Sequence, residues 1–450
     1  MTRIARDLVE QALSDFKYAR LEGRREEITK YIDFYTGTSI DQYIKPWFNQ
    51  RVFGEVPVYQ LNITKKFINK LSRIYTLGTE RKSTKQYLKW TKNKDAMFKH
   101  IEKMTKLLGT IATRIEFDPV IGYSYKPLYF FSPFFDDNDP FNPIAIAYPL
   151  LPPTDDVSFK GDEKFAYWDD EWYMEFNNDG EMLVEHYHGM GDIPFVFTHR
   201  ENQIDSCFVE GASDIVAANE QVNIALTELQ LGMRFQMFGQ PWASGVYEEG
   251  ETARLGTDEI VQVPEGGAFG IASPGGDIAG AIAAIKFQIE LVAQANHLWV
   301  HWAEQGGEMP SGISLIIKDF ERIEDYKDDI DLWRGYEHQF YVKEQMVAAL
   351  HGKTLPDKFS VNFIEPEYPK NVQDQIAKDS FDLKHGLITL PQLMMRDNKD
   401  LTIEEAKKLV DENQEENKNV MKNVEKGDSD GTEKSDKSIR ESAGLLQETD

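Results

Sequence analysis

Apolar residues recur at helical period most clearly between Asp277 and Leu350. Ile278, Ile282, Ile285, Ile289 and Val292 are spaced by four and three, one continuous stripe along a helix. Pro274-Gly275-Gly276 breaks the chain before it, and Asp277 is placed to cap its first turn. The pattern runs out between His297 and Trp302, and Glu304-Gln305-Gly306-Gly307-Glu308-Met309-Pro310 cannot continue a helix. Ser311 starts another, and nothing from Gly312 to Leu350 except Gly335 discourages it. Roughly forty residues at about 1.5 Å each make a rod of about 60 Å, several times the ordinary globular helix. A rod of that length needs neighbours throughout, so it is expected to pack against copies of itself.

Toward the N-terminus, residues 3–36 read as amphipathic helix through Ile4, Leu8, Ala12, Phe16, Ile28, Ile32 and Tyr35. Residues 40–59 read as an aromatic-rich loop. A helix is predicted from Asn62 to a stop at Gly78, with Phe67, Leu71 and Ile74 on one face. A second basic helix follows from about Lys92 to Leu108. From Thr110 to His199 short aromatic or β-branched runs predict strands at 123–131, 145–148, 165–168, 172–176 and 183–187. Asn177-Asn178-Asp179-Gly180 suits a hairpin turn. A helix is predicted over 211–238, broken by Gly239-Gln240-Pro241, and a short strand over 260–263. Residues 371–410 read as two helices around Gly386–Pro391, and 411–450 as a polar segment without aromatics that stays disordered.

Composition sharpens this picture in three ways. The 450 residues, 41% hydrophobic, are enough for a sizeable core and two or three subdomains. The most apolar stretch, Ala279 to Ala303, is interrupted by Lys286, Gln288, Glu290 and His301, so it is expected to be a packed helix rather than a membrane span; a charged N-terminal stretch argues against a secretory signal. The lone Cys207 excludes an intramolecular disulfide and a cysteine-rich zinc site. The net charge of −26 is unevenly spread: residues 1–110 hold 22 basic and 12 acidic residues, the remainder 28 and 64. An acidic portion repels nucleic acid and a basic one attracts it or an acidic partner.

Catalytic signatures are missing. There is no GxxxxGK[ST] phosphate loop, no HExxH and no GxSxG. Asp136, Asp137 and Asp139 have the spacing that opens a calcium loop but lack its glycine and distal glutamate, so an acidic turn is the stronger reading. His186 and His188 share one side of a strand without a visible third ligand. Lys65, Lys66, Lys70 and Arg73 make a basic helix face, solvated unless nucleic acid lies against it. Met394-Met395 and the aromatic run Tyr129 to Phe135 read as core or subunit contact.

The order of these features resembles the portal protein of tailed bacteriophages, over about residues 25–410. The resemblance rests on Tyr75-Thr76-Leu77-Gly78, on His188-Gly189-Met190-Gly191-Asp192-Ile193-Pro194-Phe195-Val196, on Glu210-Gly211-Ala212-Ser213-Asp214-Ile215 and on Ser311-Gly312-Ile313-Ser314-Leu315. It implies an α+β portal fold. Residues 1–205 would be N-terminal helices and a strand-rich wing, and 206–272 a stem helix with a short clip region. Residues 273–365 would be the second stem helix, tunnel loop and long wing helix, 366–410 crown-like helices, and 411–450 the acidic tail. Trp302 to Pro310 would form the tunnel loop, with Glu304, Gln305, Gly306, Gly307, Glu308, Met309 and Pro310 facing DNA. By the same resemblance the protein is a homo-oligomeric ring, usually dodecameric, at one capsid vertex of the virion, assembled in the host cytoplasm. It would surround double-stranded DNA without sequence preference and dock the terminase large subunit, a head–tail adaptor, and the major capsid and scaffold proteins. No catalysis, cofactor, metal or membrane is implied. A scaffold-type capsid protein without a channel and a metal-dependent DNA-processing enzyme are the competing classes.

Overall fold

Helical periodicity near the N-terminus becomes helix α1 (Ala19–Thr36), which buries Ile28, Tyr31 and Phe34 along one face. The computed structural model describes residues 19–49, 57–136, 138–150, 164–177, 179–238, 240–244, 266–272, 275–300, 320–364, 372–398 and 401–417. The chain divides into two compact units, Met1–Glu367 and Tyr368–Asp450. The loop expected at 40–59 contains a short helix, α2 (Asp41–Ile44), and a 3-10 turn, Lys45–Trp47, because Ile40 and Ile44 reach the core.

Asn62 caps α3 (Ile63–Leu71) by accepting the Lys65 N–H. The helix was expected to reach Gly78 and stops seven residues earlier. The cause is Glu102, a buried carboxylate that accepts the N–H groups of Ile74 and Tyr75 at 3.0 and 3.3 Å and draws the chain off the helical path. The Tyr75 ring then lodges edge-on against Phe98, Trp333 and Phe363. Gly78, at φ +93°, turns the chain into strand β1 (Thr79–Lys82). Helices α4 (Lys85–Trp90) and α5 (Lys94–Leu108) follow, α5 ending at Gly109 with φ +80°. A side chain at Gly109 would collide with the Val209 carbonyl, so only glycine fits.

Next come β2 (Thr110–Asp118), β3 (Gly122–Leu128), β4 (Ser132–Asp136), β5 (Asp139–Leu150), β6 (Lys164–Trp168), β7 (Trp172–Phe176), β8 (Met182–Tyr187) and β9 (Phe195–His199). They build two antiparallel sheets, β3-β2-β9 and the meander β4-β5-β6-β7-β8. The meander is apolar on both faces because β5 alternates: Ala145 and Ala147 join Phe165, Tyr167 and Met174 on one side, Ile146 and Tyr148 join Phe131 and Phe195 on the other. The β7–β8 turn behaves as its sequence suggests, with the Asn177 side chain accepting the Asp179 and Glu181 N–H groups and Gly180 at φ +82°.

Helix α6 (Ser213–Phe238) leads into the hairpin β10 (Gln240–Ser244) and β11 (Ala268–Ala272), then α7 (Ile278–Ala295) and the long α8 (Phe320–Leu350). Residues 260–263 and 301–319 lie outside the described residues. Strand β12 (Ser360–Phe363) pairs with β1. One core joins α1, α3, α5, β2 and α8, with Phe340, Trp333, Phe98 and Ile101 at its centre. Helix α8 finds much of its cover within the chain. Its Tyr326, Ile330, Trp333, Tyr336, Phe340 and Val347 are covered by its own chain, so its length does not by itself demand copies.

In the second unit, α9 (Val372–Lys384) and α10 (Leu390–Asp397) are joined through Gly386 at φ +68°, and Arg396 grips Asp379 with two bonds of 2.8 and 2.9 Å. A third helix, α11, covers 403–417, so the polar tail expected to be disordered from Asp411 is helical for its first seven residues. Thr402 caps it through Glu405, and Ala406 is buried. Residues 418–450 lie outside the described residues.

Candidate functional site: an uncovered apolar stalk

Helices α6 and α7 run antiparallel, fastened at both ends. At the base, the Asn296 side chain that follows α7 donates to Asp214 in the first turn of α6 at 2.7 Å. Arg200 donates to Gly211 O at 2.8 Å and to the Asn296 side chain at 3.4 Å. At the far end the Gln236 side chain donates to Gly276 O, next to the Asp277 cap, which accepts the Gly280 N–H. The Glu210-Gly211-Ala212 segment must be small for a local reason. Ala212 N–H donates to Leu107 O at 2.9 Å, and a Cβ on Gly211 would stand 2.5 Å from that same oxygen.

The inner face of α6 is held by side chains the sequence reading passed over. Asn219, Asn223 and Thr227 are fully buried and lie one above the other. Asn223 accepts the Leu61 N–H at 2.6 Å and donates to the Leu61 carbonyl at 3.0 Å. Thr227 accepts from Tyr59 N–H at 3.1 Å, and Asn219 from Ile63 N–H at 3.4 Å. The chain from 59 to the first residue of α3 thus finds on α6 the partners a neighbouring strand would supply. The signal was there: three small polar residues at steps of four on one face of the helix.

The outer face of the stalk differs. Helix α7 is apolar enough and long enough to span a bilayer, with mean hydropathy 1.4, yet only Ile285 and Ala293 are buried. The helix expected to be packed is therefore covered by its own chain on one side only, with Ile289 and Val292 against the core. Phe287 keeps 58% of its surface exposed, Leu291 48% and Ile282 39%. Trp242, Phe269 and Ile271 on the β10–β11 hairpin, and Trp299 beyond α7, extend the same character. Scattered exposed apolar residues are ordinary, but a whole helix of them is a surface that something else covers.

The long helix is fixed by a buried ionic seam. Lys94 sits between Glu337 and Glu344 at 3.0 and 2.8 Å, all three without exposed side-chain surface. Arg81 donates from Nε to Glu337 at 3.1 Å and pairs with Asp95 at 2.6 Å. Tyr75 donates to Glu337, and Tyr87 and Tyr125 to Glu344, at 3.0, 2.7 and 2.5 Å. Burial opposes ionisation of Glu337, but Lys94 and Arg81 outweigh it and hold its carboxyl down at about 2. Glu102 is pushed up by burial to about 7 despite its two backbone N–H bonds and the nearby charge of Lys106. The centre of the seam, Lys94 with Glu337 and Glu344, is closed to solvent and each carboxylate there has a cation against it, which suits a register lock between α5 and α8.

The residues singled out from the sequence do not form a second centre. Glu304 to Pro310 lie outside the described residues. Asp136 and Asp139 spend their carboxylates on their own turns, accepting from Asn138, Phe141 and Asn142, and Asp137 is outside the described residues. His188 accepts the Met190 N–H and lies against the Trp168 ring, while His186 is exposed opposite Tyr173. Among the described residues no three His, Cys, Asp or Glu side chains are gathered to hold a metal ion. Lys65 and Lys66 are exposed on α3, and Lys70 donates to Trp299 O at 3.3 Å, bringing the basic helix beside the end of the stalk. Met394 and Met395 are half-buried in the second unit. The chain matches no protein-family model and no curated protein.

Proposed function

We propose that the chain is the subunit of a phage-portal ring, a head-to-tail connector at one capsid vertex through which double-stranded DNA is packaged and ejected. The observation that carries this reading is the stalk: an apolar α7 left largely uncovered along its length. Copies arranged in a ring would each cover the exposed helix of the next, a heterologous contact that closes when the rotation allows. The stalk order of helix, hairpin, helix and then long helix agrees with the portal resemblance. On this reading Glu304 to Pro310 follow the base of the stalk and face the channel. Their acidic, lysine-free character suits a conduit that must not retain a polyanion. The ring would be a dodecamer by resemblance, with terminase large subunit, head–tail adaptor, and capsid and scaffold proteins as its docking partners, and it would use no cofactor and catalyse nothing.

A second reading comes from α7 alone, whose length and hydropathy would let it enter a bilayer. Its fastening to α6 at both ends, and Lys286 and Glu290 within the span, weigh against that. Negative-stain images of the purified protein, with flotation on lipid vesicles, separate the readings. Rings with a central hole and no flotation are expected. Particles of one chain's mass at micromolar concentration, whatever the salt or added scaffold, overturn the ring. Multimers without a hole favour the scaffold class, and flotation favours the membrane.

A further inference from the structure

Strand β8 closes one side of the five-stranded meander, and every one of its six residues is exposed. It is nevertheless well seated on β7. His188 N–H donates to Glu171 O at 2.8 Å, Asn177 N–H to Glu181 O at 3.0 Å, and the Tyr187 ring packs edge-on against Trp172. Hydrogen bonding also fixes which main-chain groups point outward. His188 bonds toward β7, and His186 and Val184 stand opposite Tyr173 and Glu175 at steps of two, so these residues face inward. Glu185 and Tyr187 lie between them and face away, and their N–H and C=O groups have no partner among the described residues. A register shift between Glu175 and Phe176 ends the regular ladder at Leu183.

The edge is apolar, open and acidic. Met182, Leu183, Val184 and Tyr187 each keep 40% or more of their surface in solvent. Proteins usually blunt such an edge with proline, with lysine or by covering it. The other edge of the same sheet follows that rule: on β4, Pro133 has no N–H to offer, and Ser132 and Phe134 are buried. Strand β8 has neither proline nor lysine. Residues 169–188 around it hold seven acidic side chains and no Lys or Arg, and none of the seven is paired with a cation among the described residues.

We propose that β8 takes up a cationic extended segment of a partner protein as an added strand of the meander. Main-chain bonds from Glu185 and Tyr187 would hold it. Charge selects the occupant. Two β8 strands from two copies would bring two acidic hairpins together, whereas a lysine opposite Glu185 makes a favourable cross-strand pair. Residues beside that lysine would be β-branched, to lie against Val184 and Tyr187. The site goes beyond the ring reading and uses no residue of the α6–α7 stalk.

The probe is the capped peptide Lys-Val-Thr-Lys-Val-Val-Lys, followed by fluorescence anisotropy and by hydrogen exchange of the full chain. Saturating peptide should protect residues 183–188. N-methylating one alternate set of peptide amides should weaken binding about tenfold or more, and methylating the other set should leave it unchanged. Glu185→Lys, at an exposed position, should weaken binding to a similar degree without moving the melting temperature. The same variant should prefer the peptide whose central lysine is replaced by glutamate, which wild type should bind more weakly. Binding by single chains would uphold the proposal while the ring reading failed. No binding below about 1 mM, equal loss from both methylation patterns, no reversal of preference in Glu185→Lys, or protection elsewhere overturns the proposal. Protection of 183–188 that grows with protein concentration in the absence of peptide overturns it in favour of a second copy of the chain.

Discussion

The body and the stalk invert each other's chemistry. In the body, Lys94, Glu337 and Glu344 are charged and have no exposed side-chain surface. In the stalk, Phe287 is apolar and keeps 58% of its surface in solvent. The body pairs the buried charges of the Lys94 seam within its own chain. The stalk's inner face is equally complete, with Asn219, Asn223 and Thr227 all engaged, so its outer face is uncovered by design of the sequence and not through poor packing. Self-sufficiency stops at a helix surface, which is where an assembly would begin.

The comparison breaks most visibly at Lys94. Lys94→Met leaves two buried carboxylates facing each other with only Arg81 to compensate, and should cost about 3–5 kcal/mol in chemical denaturation. A midpoint unchanged from wild type would mean that the seam is not what locks α5 to α8. Proton linkage gives the next effect. Glu102 titrates near 7 in the folded chain against an ordinary 4.5, so the folded state keeps its proton longer. Stability should be full below 4.5, fall between 4.5 and 7 by about 3 kcal/mol, and then level off. His199 acts on the other side: its folded pKa near 4 against 6.5 means stability present above 6.5 and lost as pH falls toward 4. Urea midpoints from pH 4 to 8 should show the Glu102 slope in wild type and not in Glu102→Gln; identical profiles would remove Glu102 from the account.

Asn223→Leu tests the stalk's inner face. It strands the Leu61 N–H and C=O and should cost about 1–3 kcal/mol, with faster hydrogen exchange at 59–63. Exchange unchanged there would show that the segment is held by packing alone. The smallest effect on folding belongs to the outer face. Phe287→Ser with Leu291→Ser should move the denaturation midpoint by no more than about 0.5 kcal/mol. The same pair should reduce the light-scattering mass to one chain. A double variant that still assembles places the self-interface elsewhere.

Local patterns were legible where one element determined its own structure. The stripe from Ile278 to Val292 and the Asp277 cap marked α7, and Asn177-Asn178-Asp179-Gly180 marked the hairpin. Boundaries set by distant residues were not. Nothing near Leu71 announces that Glu102, on another helix, will end α3 there. The same limit applies to exposure: periodicity identified an apolar face on α7 but not whether its own chain would cover it. On α8 the absence of helix breakers marked the helix, but not what would cover it, because the covering aromatics Phe98 and Tyr125 come from a sequence-distant helix and strand. Of the candidate site, the helices could be read in advance, whereas the buried amide ladder depends on which segment lands beside which helix.

That ladder also behaves as a vernier. Its rungs climb α6 four residues at a time, about 6.0 Å, while the opposing chain advances two residues at a time, about 6.6 Å when extended. The two scales nearly coincide, and they drift by about 0.6 Å per rung. The contacts follow the drift: the central bond at Leu61 is 2.6 Å, and those at Tyr59 and Ile63 open to 3.1 and 3.4 Å. A fourth rung at either end would be out of reach, so three is the natural length of such a scale. Alignment at the centre also sets the phase of the whole segment. One residue inserted between Tyr59 and Leu61 would turn the Tyr59 N–H away from α6 while Leu61 and Ile63 kept their rungs.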